Sequence, residues 1–459
     1  MDIEETDVVV IGMGPGGEYA AGVLAEAGLH VTGVEARLLG GECPYWGCVP
    51  SKMMIRAANL LAEGRRIPGM AGTSTVSPDW APVARRIRDE ATDSWDDKVA
   101  VERFTGKGGH FVRGRGRITA AGEVTVDTAD GARRFRASRA ILINPGTEPA
   151  RPPVPGLADT PYWTNRDAIE TEDVPESLIV LGGGAIGAEL AQVFARFGAR
   201  VTVVEALPRL VPMEEPEASD LLAKVFTREG ITVRTGARAE NISHDGNEFT
   251  LSLPGGETLS SQRLLVATGR RTDLAALGVA TIGLDEKARS IEVDDRMRAA
   301  DGVWAIGDVT GKGAFTHVSM YQAGIAVRDI LGHDGPLALY RAVPRVTFTD
   351  PEIGSVGLTE AQAEEQGLAV RTSITQVPTS ARGWIHKAGN DGFVKLVENA
   401  ERGVLVGATC AGPAGGEVLG ALVVAVHGQV PVPHLRNMMY AYPTFHRAIE
   451  SALDELNQG

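Results

Sequence analysis

The stretch VVVIGMGPGGEYAAGVLAEAGLHVTGVEA, residues 8–36, decides the fold of the N-terminal part of the chain. Its first residues are β-branched and apolar, which is typical of a strand buried on both faces of a parallel sheet. Gly-x-Gly-x-x-Gly follows at Gly12, Gly14 and Gly17, then an alanine-rich predicted helix, then a second strand that ends on Glu35. Such glycines permit a tight turn and the close approach of a diphosphate, to which the helix N-terminus offers free N–H groups.

The same pattern returns without a gap in IVLGGGAIGAELAQVFARFGARVTVVEA, residues 179–206. Gly182, Gly184 and Gly187 repeat the three glycines and Glu205 repeats the acidic residue, each 170 positions further on (182 − 12 = 170). Such an acidic residue accepts hydrogen bonds from the hydroxyls of an adenosine ribose. We therefore predict two dinucleotide-binding folds and an enzyme that passes electrons between two dinucleotides. The alternative is that only one of the two folds binds a dinucleotide, and that the other has lost this ability and only packs.

Composition narrows the class of partners. The chain has 459 residues and a formal net charge of −14, and roughly three domains are expected at this length. The acidic balance argues against sequence-independent binding to nucleic acid or to anionic lipid, because both need a basic face. The start MDIEETDVVVIG does not resemble a signal peptide, and no apolar run approaches the ~20 residues that span a bilayer. With three cysteines in all, we expect a cytoplasmic protein with no nucleic-acid and no membrane partner.

Two of the cysteines, Cys43 and Cys48, lie in GGECPYWGCVPSK, residues 40–52. A zinc site would need more ligands, and no second cysteine or histidine spacing supplies them, so no metal is expected. In a regular helix the two Cα atoms would be about 8–9 Å apart, too far for a disulfide, although Pro44 and Gly47 break that regularity. A redox pair and two buried thiols both remain open on this geometry. The position favours the redox pair, since ligands bind where the second strand of such a fold ends.

The chain resembles the pyridine nucleotide-disulfide oxidoreductases nearly from end to end. Residues 40–52 are similar to the family's redox-disulfide motif, with the same cysteine spacing and the same Pro-Ser-Lys ending. LLVATGRRTD, VWAIGDV and RVTFTDPEIGSVGLTE, at residues 264–273, 303–309 and 345–360, resemble three further family segments. The resemblance implies an α/β fold with two Rossmann-like dinucleotide-binding domains and a C-terminal α+β dimerisation domain. It places an FAD domain at 1–149, an NAD(P) domain at 150–270, a return to the FAD domain at 271–337 and the dimerisation domain at 338–459, in a homodimer.

The resemblance also assigns roles to side chains. Cys48 is the flavin-side thiol, Cys43 exchanges electrons with a small-molecule acceptor, and Lys52 lies beside flavin N5 with Glu189 as its partner; a surface lysine and an exposed helical glutamate are the alternative. Residues expected at FAD are Gly12, Gly14, Gly17, Glu35, Lys52, Gly116, Asp308 and Thr316. Residues expected at NAD(P) are Gly182, Gly184, Gly187, Glu205 and Gly269. Glu205 favours NAD over NADP because it would repel a 2′-phosphate, although Arg200 and Arg209 nearby leave NADP possible.

One family feature is replaced near the C-terminus, in YAYPTFHRAIE, residues 440–450. Disulfide exchange needs a proton relay, which the family provides as a histidine backed by a glutamate. Tyr442 stands in place of that histidine and Arg447 in place of the glutamate. A free tyrosine titrates near ~10 and is a poor proton acceptor at neutral pH. His446 and Glu450, four residues apart, are the other candidate relay if they share one helical face, or else an ordinary surface pair.

Further departures surround the cysteines. Glu42 places a carboxylate beside Cys43, Tyr45 and Trp46 are bulky between the two cysteines, and Asn144 begins an unusual NPGTEP segment. Our leading interpretation is an FAD-dependent NAD(P)H disulfide oxidoreductase that is similar to dihydrolipoamide dehydrogenase. The alternatives are a reductase of quinones or metal ions, a soluble transhydrogenase, or a flavoprotein that senses NADH and signals through a partner. The cysteine pair favours the first, and Tyr442 favours the second and third.

Overall fold

The computed structural model describes residues 3–456, which divide into two compact units. Unit 1 comprises the chain up to Pro50 together with Arg85–Ala150 and Arg270–Tyr340. Unit 2 comprises Ser51–Ala84, Arg151–Gly269 and the chain from Arg341 onward.

The units divide the chain differently from the expected domains at two places. Ser51–Ala84 belongs to unit 2 rather than to the unit of the first glycine motif, and the chain from Arg341 onward forms no unit of its own. The division expected at 149/150 falls after Ala150, and that expected at 270/271 falls after Gly269. Residues 1, 2 and 457–459 of the expected domains lie outside the described residues. The functional domain boundaries stay a prediction.

Unit 1 is built on an eight-stranded sheet. Its parallel strands, in spatial order, are Val303–Ala305, Gly131–Ile143, Ile3–Ile11, Val31–Glu35 and His110–Arg113. Arg298–Ala300, Arg115–Ala120 and Glu123–Thr128 add antiparallel strands. A separate two-stranded pair joins Glu148–Pro149 to Arg270–Arg271. The helices that lie wholly in this unit are Pro15–Glu26, Glu42–Tyr45, Lys98–Gly106 and Thr316–Ile330.

Small residues pack two helices against the sheet of unit 1. Ala20 and Ala21 of helix Pro15–Glu26 and Ala323 and Ala326 of helix Thr316–Ile330 belong to one buried cluster. Alanine has little side chain to order and allows two helices to approach closely, so an alanine-rich stretch both forms a helix and buries well. A Cβ on Gly16 would lie 2.1 Å from the Ser319 hydroxyl, so the two helices approach each other closely near their N-termini.

Unit 2 contains the second parallel sheet. Its four strands, in spatial order, are Thr232–Arg234, Arg200–Val204, Ser177–Leu181 and Arg263–Val266. A three-stranded antiparallel sheet follows at Asn241–His244, Phe249–Ser252 and Thr258–Ser261. The helices of this part are Asn165–Glu170, Ala185–Arg196 and Pro216–Arg228. The helix Cys48–Arg66 crosses the boundary between the two units in sequence, as does the short helix Ala81–Arg86.

The C-terminal part of unit 2 is α+β. Its five-stranded antiparallel sheet has the order Pro344–Thr347, Glu352–Gly357, Val404–Gly412, Phe393–Asn399 and Val370–Gln376. The helices are Glu360–Glu365, Ala381–His386, Gly415–Gly428, Val432–Arg436 and Ala448–Glu455. Among residues 3–456, no helix combines the length and the apolar character that a bilayer-crossing segment requires. The fold class expected from the sequence is confirmed.

A buried carboxylate stabilises unit 2. Asp350 Oδ2 lies 2.6 Å from Arg66 Nη2 and 2.8 Å from Arg196 Nη2. Burial alone would raise the pKa of Asp350, but Arg196 and Arg66 together hold it below its ordinary value. The carboxylate is therefore ionised in the folded state at neutral pH.

Candidate active site

In the first glycine motif, the outer glycines Gly12 and Gly17 are crowded by neighbouring backbone, whereas the middle glycine, Gly14, has space around it. A Cβ on Gly12 would lie 2.1 Å from the carbonyl oxygen of Asn144, and one on Gly17 would lie 2.1 Å from the carbonyl oxygen of Gly12. A Cβ on Gly14 would come no closer than 3.6 Å to the side chain of Asn144. Gly14 is the N-cap of helix Pro15–Glu26 and makes no side-chain cap, so the helix N-terminus stays open to a diphosphate.

The second motif repeats this arrangement. A Cβ on Gly182 would lie 2.4 Å from the carbonyl oxygen of Ala267, and one on Gly187 would lie 2.0 Å from that of Gly182. Gly184 caps helix Ala185–Arg196 without a side-chain hydrogen bond, and a Cβ there would meet nothing within 4 Å. Both motifs therefore leave backbone and space at a helix N-terminus, and both fit the diphosphate of a dinucleotide.

The two acidic residues end their strands in the same way. Glu35 accepts hydrogen bonds from the N–H groups of Met13 and Arg37 at 2.9 and 2.8 Å. Glu205 accepts from Gly183 at 2.6 Å and from Leu207 at 2.7 Å. Burial raises the pKa of the Glu35 carboxyl, and its backbone hydrogen bonds oppose that rise. Each carboxylate is thus held beside its glycine loop, where it is positioned to bind a ribose hydroxyl.

The remaining residues expected at FAD are spread over unit 1. Gly116 lies on strand Arg115–Ala120, where a Cβ would approach Val34 to 3.2 Å. Asp308 follows strand Val303–Ala305 and accepts a hydrogen bond from the hydroxyl of Thr147 at 2.7 Å. Thr316 is the first residue of helix Thr316–Ile330. In unit 2, Gly269 has φ +119° and open surroundings, which suits an approaching ligand.

The two cysteines lie on two successive helices, the first short and the second long. Helix Glu42–Tyr45 contains Cys43, and Cys48 is the first residue of helix Cys48–Arg66, so the expected break in helical geometry is present between them. Cys43 is half-buried and Cys48 is exposed. The sulfur of Cys48 lies 3.4 Å from the Thr316 hydroxyl, and either atom can donate the hydrogen bond; if Cys48 is a thiolate, the hydroxyl is the donor.

The bulky residues between the cysteines pack into unit 1. Tyr45 is buried, its hydroxyl donates to the carbonyl of Leu39 at 3.2 Å, and the indole N–H of Trp95 donates to the carbonyl of Tyr45 at 3.3 Å. Burial raises the pKa of Tyr45 to about 12, so its hydroxyl stays protonated. Trp46 packs against Tyr45 with ring centroids 5.9 Å apart. Tyr45 therefore anchors the segment between the cysteines.

Lys52 and Glu189 meet within unit 2. Lys52 Nζ lies 2.9 Å from Glu189 Oε2, and the N–H of Phe348 donates to Glu189 Oε1 at 2.8 Å. The ammonium group also lies 4.6 Å from the centre of the Phe348 ring. Glu189 is buried in the helix that the second glycine motif begins. The structure thus forms the pair that the resemblance implies, and it adds Phe348, which no sequence pattern indicated.

Arg447 contacts two of the C-terminal candidates. Arg447 Nη2 pairs with Glu450 Oε2 at 2.9 Å, and the Arg447 guanidinium lies 5.3 Å from the centre of the Tyr442 ring. His446 belongs to a 3-10 turn, Phe445–Arg447, and precedes helix Ala448–Glu455. The proposed relay role of His446 stays a prediction. Within residues 3–456, neither a hydrogen bond nor an ion pair joins His446 to Glu450.

Asn144 ties the first glycine loop to a distant helix. Its Nδ2 donates to the carbonyl of Gly12 at 3.1 Å, and the hydroxyl of Ser319 donates to its Oδ1 at 3.3 Å. Asn144 is buried directly after strand Gly131–Ile143. Its place at a strand end was visible in the sequence, but its partners were not. In the described part of the chain, no group of three or more His, Cys, Asp or Glu side chains is arranged to hold a metal ion.

Two dinucleotide folds, with a cysteine pair just beyond the second strand of the first, define a flavin- and nicotinamide-dependent oxidoreductase. The chain belongs to the pyridine nucleotide-disulphide oxidoreductase family: the family model matches residues 6–323, and the model of the family's dimerisation domain matches residues 343–453. The predicted family is confirmed. The protein is an FAD-dependent NAD(P)H disulfide oxidoreductase, and its cofactors are FAD and NAD(P)H.

The relatives carry more than one activity. Dihydrolipoyl dehydrogenase of Chlorobaculum tepidum is 35% identical, with 98% of this chain and 97% of the relative covered. Mercuric reductase of Acidithiobacillus ferrooxidans is 32% identical, with 98% and 82% covered. The Cu(II) complex of the HOCl-induced flavoprotein disulfide reductase RclA from Escherichia coli superposes with a TM-score of 0.86 at 26% identity, with 99% of each chain covered. The comparisons therefore leave the electron acceptor open.

Proposed function

We propose that the chain uses NADH to reduce a disulfide between Cys43 and Cys48, whose thiols then reduce a small disulfide substrate. The overall reaction is NADH + H⁺ + RSSR → NAD⁺ + 2 RSH, in which the electron pair of the hydride cleaves one disulfide and its product thiols take up two protons. The observation that carries the proposal is the cysteine pair, with Cys48 at the start of a long helix and its sulfur 3.4 Å from the Thr316 hydroxyl. FAD would supply a carrier for the electron pair between the nicotinamide and the disulfide, and the first glycine motif together with Glu35 would hold it.

The side chains divide the work. The Thr316 hydroxyl stabilises the Cys48 thiolate by donating to it, since hydrogen bonds to a charged form favour that form. Cys43 attacks the substrate disulfide as a thiolate, and Cys48 then displaces the second thiol. Glu189 fixes the Lys52 ammonium group through a 2.9 Å contact, which keeps a positive charge near the second glycine motif. Glu205 and Glu35 bind the two adenosine riboses, and Glu205 selects NADH.

The second candidate is reduction of a metal ion or a quinone. The observation in its favour is Tyr442, which is 69% exposed and has the Arg447 guanidinium 5.3 Å from its ring centre. Disulfide exchange releases thiolates that a relay must protonate, and Tyr442 stands in place of the relay histidine. A metal ion takes up electrons without protons, and a quinone takes up two electrons and two protons without releasing a thiolate, so neither acceptor needs that relay. The mercuric reductase relatives and the Cu(II) complex of the similar reductase support a metal ion as substrate. Among residues 3–456, no comparable structural feature supports transhydrogenation or NADH sensing.

We also propose a homodimer in the cytoplasm. The dimerisation-domain match and several exposed apolar side chains in the same region support the dimer: Trp384 is 76% exposed, Val424 67% and Met439 97%. Apolar side chains this exposed are suited to contact a second copy. The small number of cysteines supports the cytoplasm, which is a reducing compartment. A redox pair that must alternate between dithiol and disulfide supports it as well.

An acceptor panel tests the proposal. Oxidised lipoamide, glutathione disulfide, Hg(II), Cu(II) and benzoquinone are compared at saturating NADH, in the wild type and in the variants Cys43→Ser and Cys48→Ser. We expect disulfide turnover to disappear in both variants while quinone reduction persists. Metal-ion reduction that needs both cysteines and exceeds disulfide turnover would support the second candidate. Disulfide turnover that survives loss of either cysteine would overturn the proposal.

A further inference from the structure

An ion pair involves the residue that precedes the proposed exchange cysteine. Glu42, the residue before Cys43, begins helix Glu42–Tyr45, and its Oε2 lies 3.5 Å from Nη2 of Arg270. The two side chains are only 28% and 18% exposed, respectively. A lone carboxylate here would repel incoming anions and disfavour the neighbouring thiolate, and the guanidinium group offsets both effects.

Arg270 is held in place without help from Glu42. Its Nε donates to the hydroxyl of Thr147 at 2.8 Å and its Nη2 to the carbonyl of Thr147 at 2.5 Å. The hydroxyl of Thr147 donates in turn to Asp308, the carboxylate expected at FAD. Strand Arg270–Arg271 also pairs with Glu148–Pro149, which fixes the backbone. A planar guanidinium held at two nitrogens presents its charge in one fixed direction.

We propose that Arg270 is a positioning residue for the exchange cysteine. It holds Glu42 in a neutral pair, and this pair determines how the charge of an acceptor affects the rate of its reaction with Cys43. The inference rests on the proposed role of Cys43. With the pair intact, the two charges offset each other, and the pair favours neither neutral nor anionic disulfides in the reaction with Cys43. With Glu42 alone, anionic disulfides such as those bearing carboxylates are disfavoured. With Arg270 alone, the same substrates are favoured.

The test uses two alkylating reagents that differ in charge. The holoenzyme is reduced anaerobically with NADH and treated with neutral iodoacetamide or anionic iodoacetate, and the rate of modification at Cys43 is followed by peptide mass spectrometry. The readout is the ratio of the iodoacetate rate to the iodoacetamide rate, because a merely structural defect would slow both reagents alike.

Four variants separate charge from shape. We expect Arg270→Met to lower the ratio and Glu42→Gln to raise it, each by about three- to tenfold for one unit charge at a largely buried position. The double variant should return to within about twofold of wild type, since it restores neutrality. Arg270→Lys keeps the charge but loses the two-nitrogen contact to Thr147, so it should fall between Arg270→Met and wild type.

The outcomes distinguish failure of the inference about the Glu42–Arg270 pair from failure of the proposed function. Ratios within about twofold of wild type in both single variants, or a double variant that fails to restore the ratio, would overturn the inference. If Arg270→Met does not fold, Glu42→Gln decides alone, because its ratio must rise. If NADH exposes no reactive thiol at Cys43 in the wild type, the proposed function fails instead, whatever the pair does.

Discussion

Replacing Glu189 by Gln should slow the reduction of bound FAD by NADH. The change keeps the size of the side chain and its contact with the Phe348 N–H, but it removes the charge 2.9 Å from Lys52 Nζ. Because the Lys52 side chain is 35% exposed, an effective dielectric constant of about 40 is appropriate, which gives about 3 kcal/mol for charges 2.9 Å apart. About 1.4 kcal/mol corresponds to a factor of ten, so the full charge interaction sets an upper limit of about 10²-fold. We expect flavin reduction to slow by about 10- to 100-fold.

Glu214 offers a matched control. It is as buried as Glu189, and it pairs with Arg345 at 3.1 Å in the same unit. Glu189→Gln and Glu214→Gln should each cost about 1–2 kcal/mol of unfolding free energy, below the range for fully buried pairs because each cation is partly exposed. Stopped-flow absorbance then separates the two: Glu214→Gln should reduce its flavin within about threefold of wild type. Equal slowing in both variants, or wild-type flavin reduction in Glu189→Gln, would refute the reasoning.

Three further predictions concern the nucleotide, the acceptor and stability. NADH should exceed NADPH in kcat/KM because Glu205 would repel a 2′-phosphate, and a tenfold advantage for NADPH would reverse this expectation. The double variant Tyr442→His, Arg447→Glu should raise lipoamide turnover, by up to about 10²-fold, and leave quinone reduction unchanged; wild-type turnover of lipoamide as fast as that of quinones would show that no relay is missing. Asp350→Asn should cost about 3–5 kcal/mol of unfolding free energy near pH 7. Since the pKa of Asp350 is lowered in the folded state, its contribution is present above pH ~4 and fades as the pH falls further; denaturant titrations at pH 7 and pH 3 should therefore show a shrinking difference between variant and wild type.

The glycine motifs could be predicted from the sequence because their constraints are local. Gly12 and Gly182 adopt φ values of +93° and +112°, which favour glycine, and the strand, helix and acidic residue follow at fixed spacing. The start of helix Ala448–Glu455 is local too, but the partner of Glu450 was not apparent from its spacing to His446. A 3-10 turn, Phe445–Arg447, precedes the helix, and Glu450 pairs with Arg447 instead.

Contacts between distant residues could not be derived from spacing. Lys52 and Glu189 are 137 residues apart, and only the family resemblance indicated their pairing. Asn144 is 132 residues from Gly12 and 175 from Ser319, so its departure from the family pattern could be seen but not interpreted. The fold brings these residues together through sheet order, which a single sequence does not specify.

The charge-transfer absorbance of the reduced protein tests the central claim most directly. FAD-loaded wild type and its Cys43→Ser and Cys48→Ser variants are titrated anaerobically with NADH, and the long-wavelength band of a thiolate beside oxidised flavin is recorded. We expect one equivalent of NADH to produce the band in the wild type, Cys48→Ser to abolish it, and Cys43→Ser to retain it, since Cys48 supplies the thiolate. A wild type that shows no such band, or a band that persists in Cys48→Ser, would contradict the account.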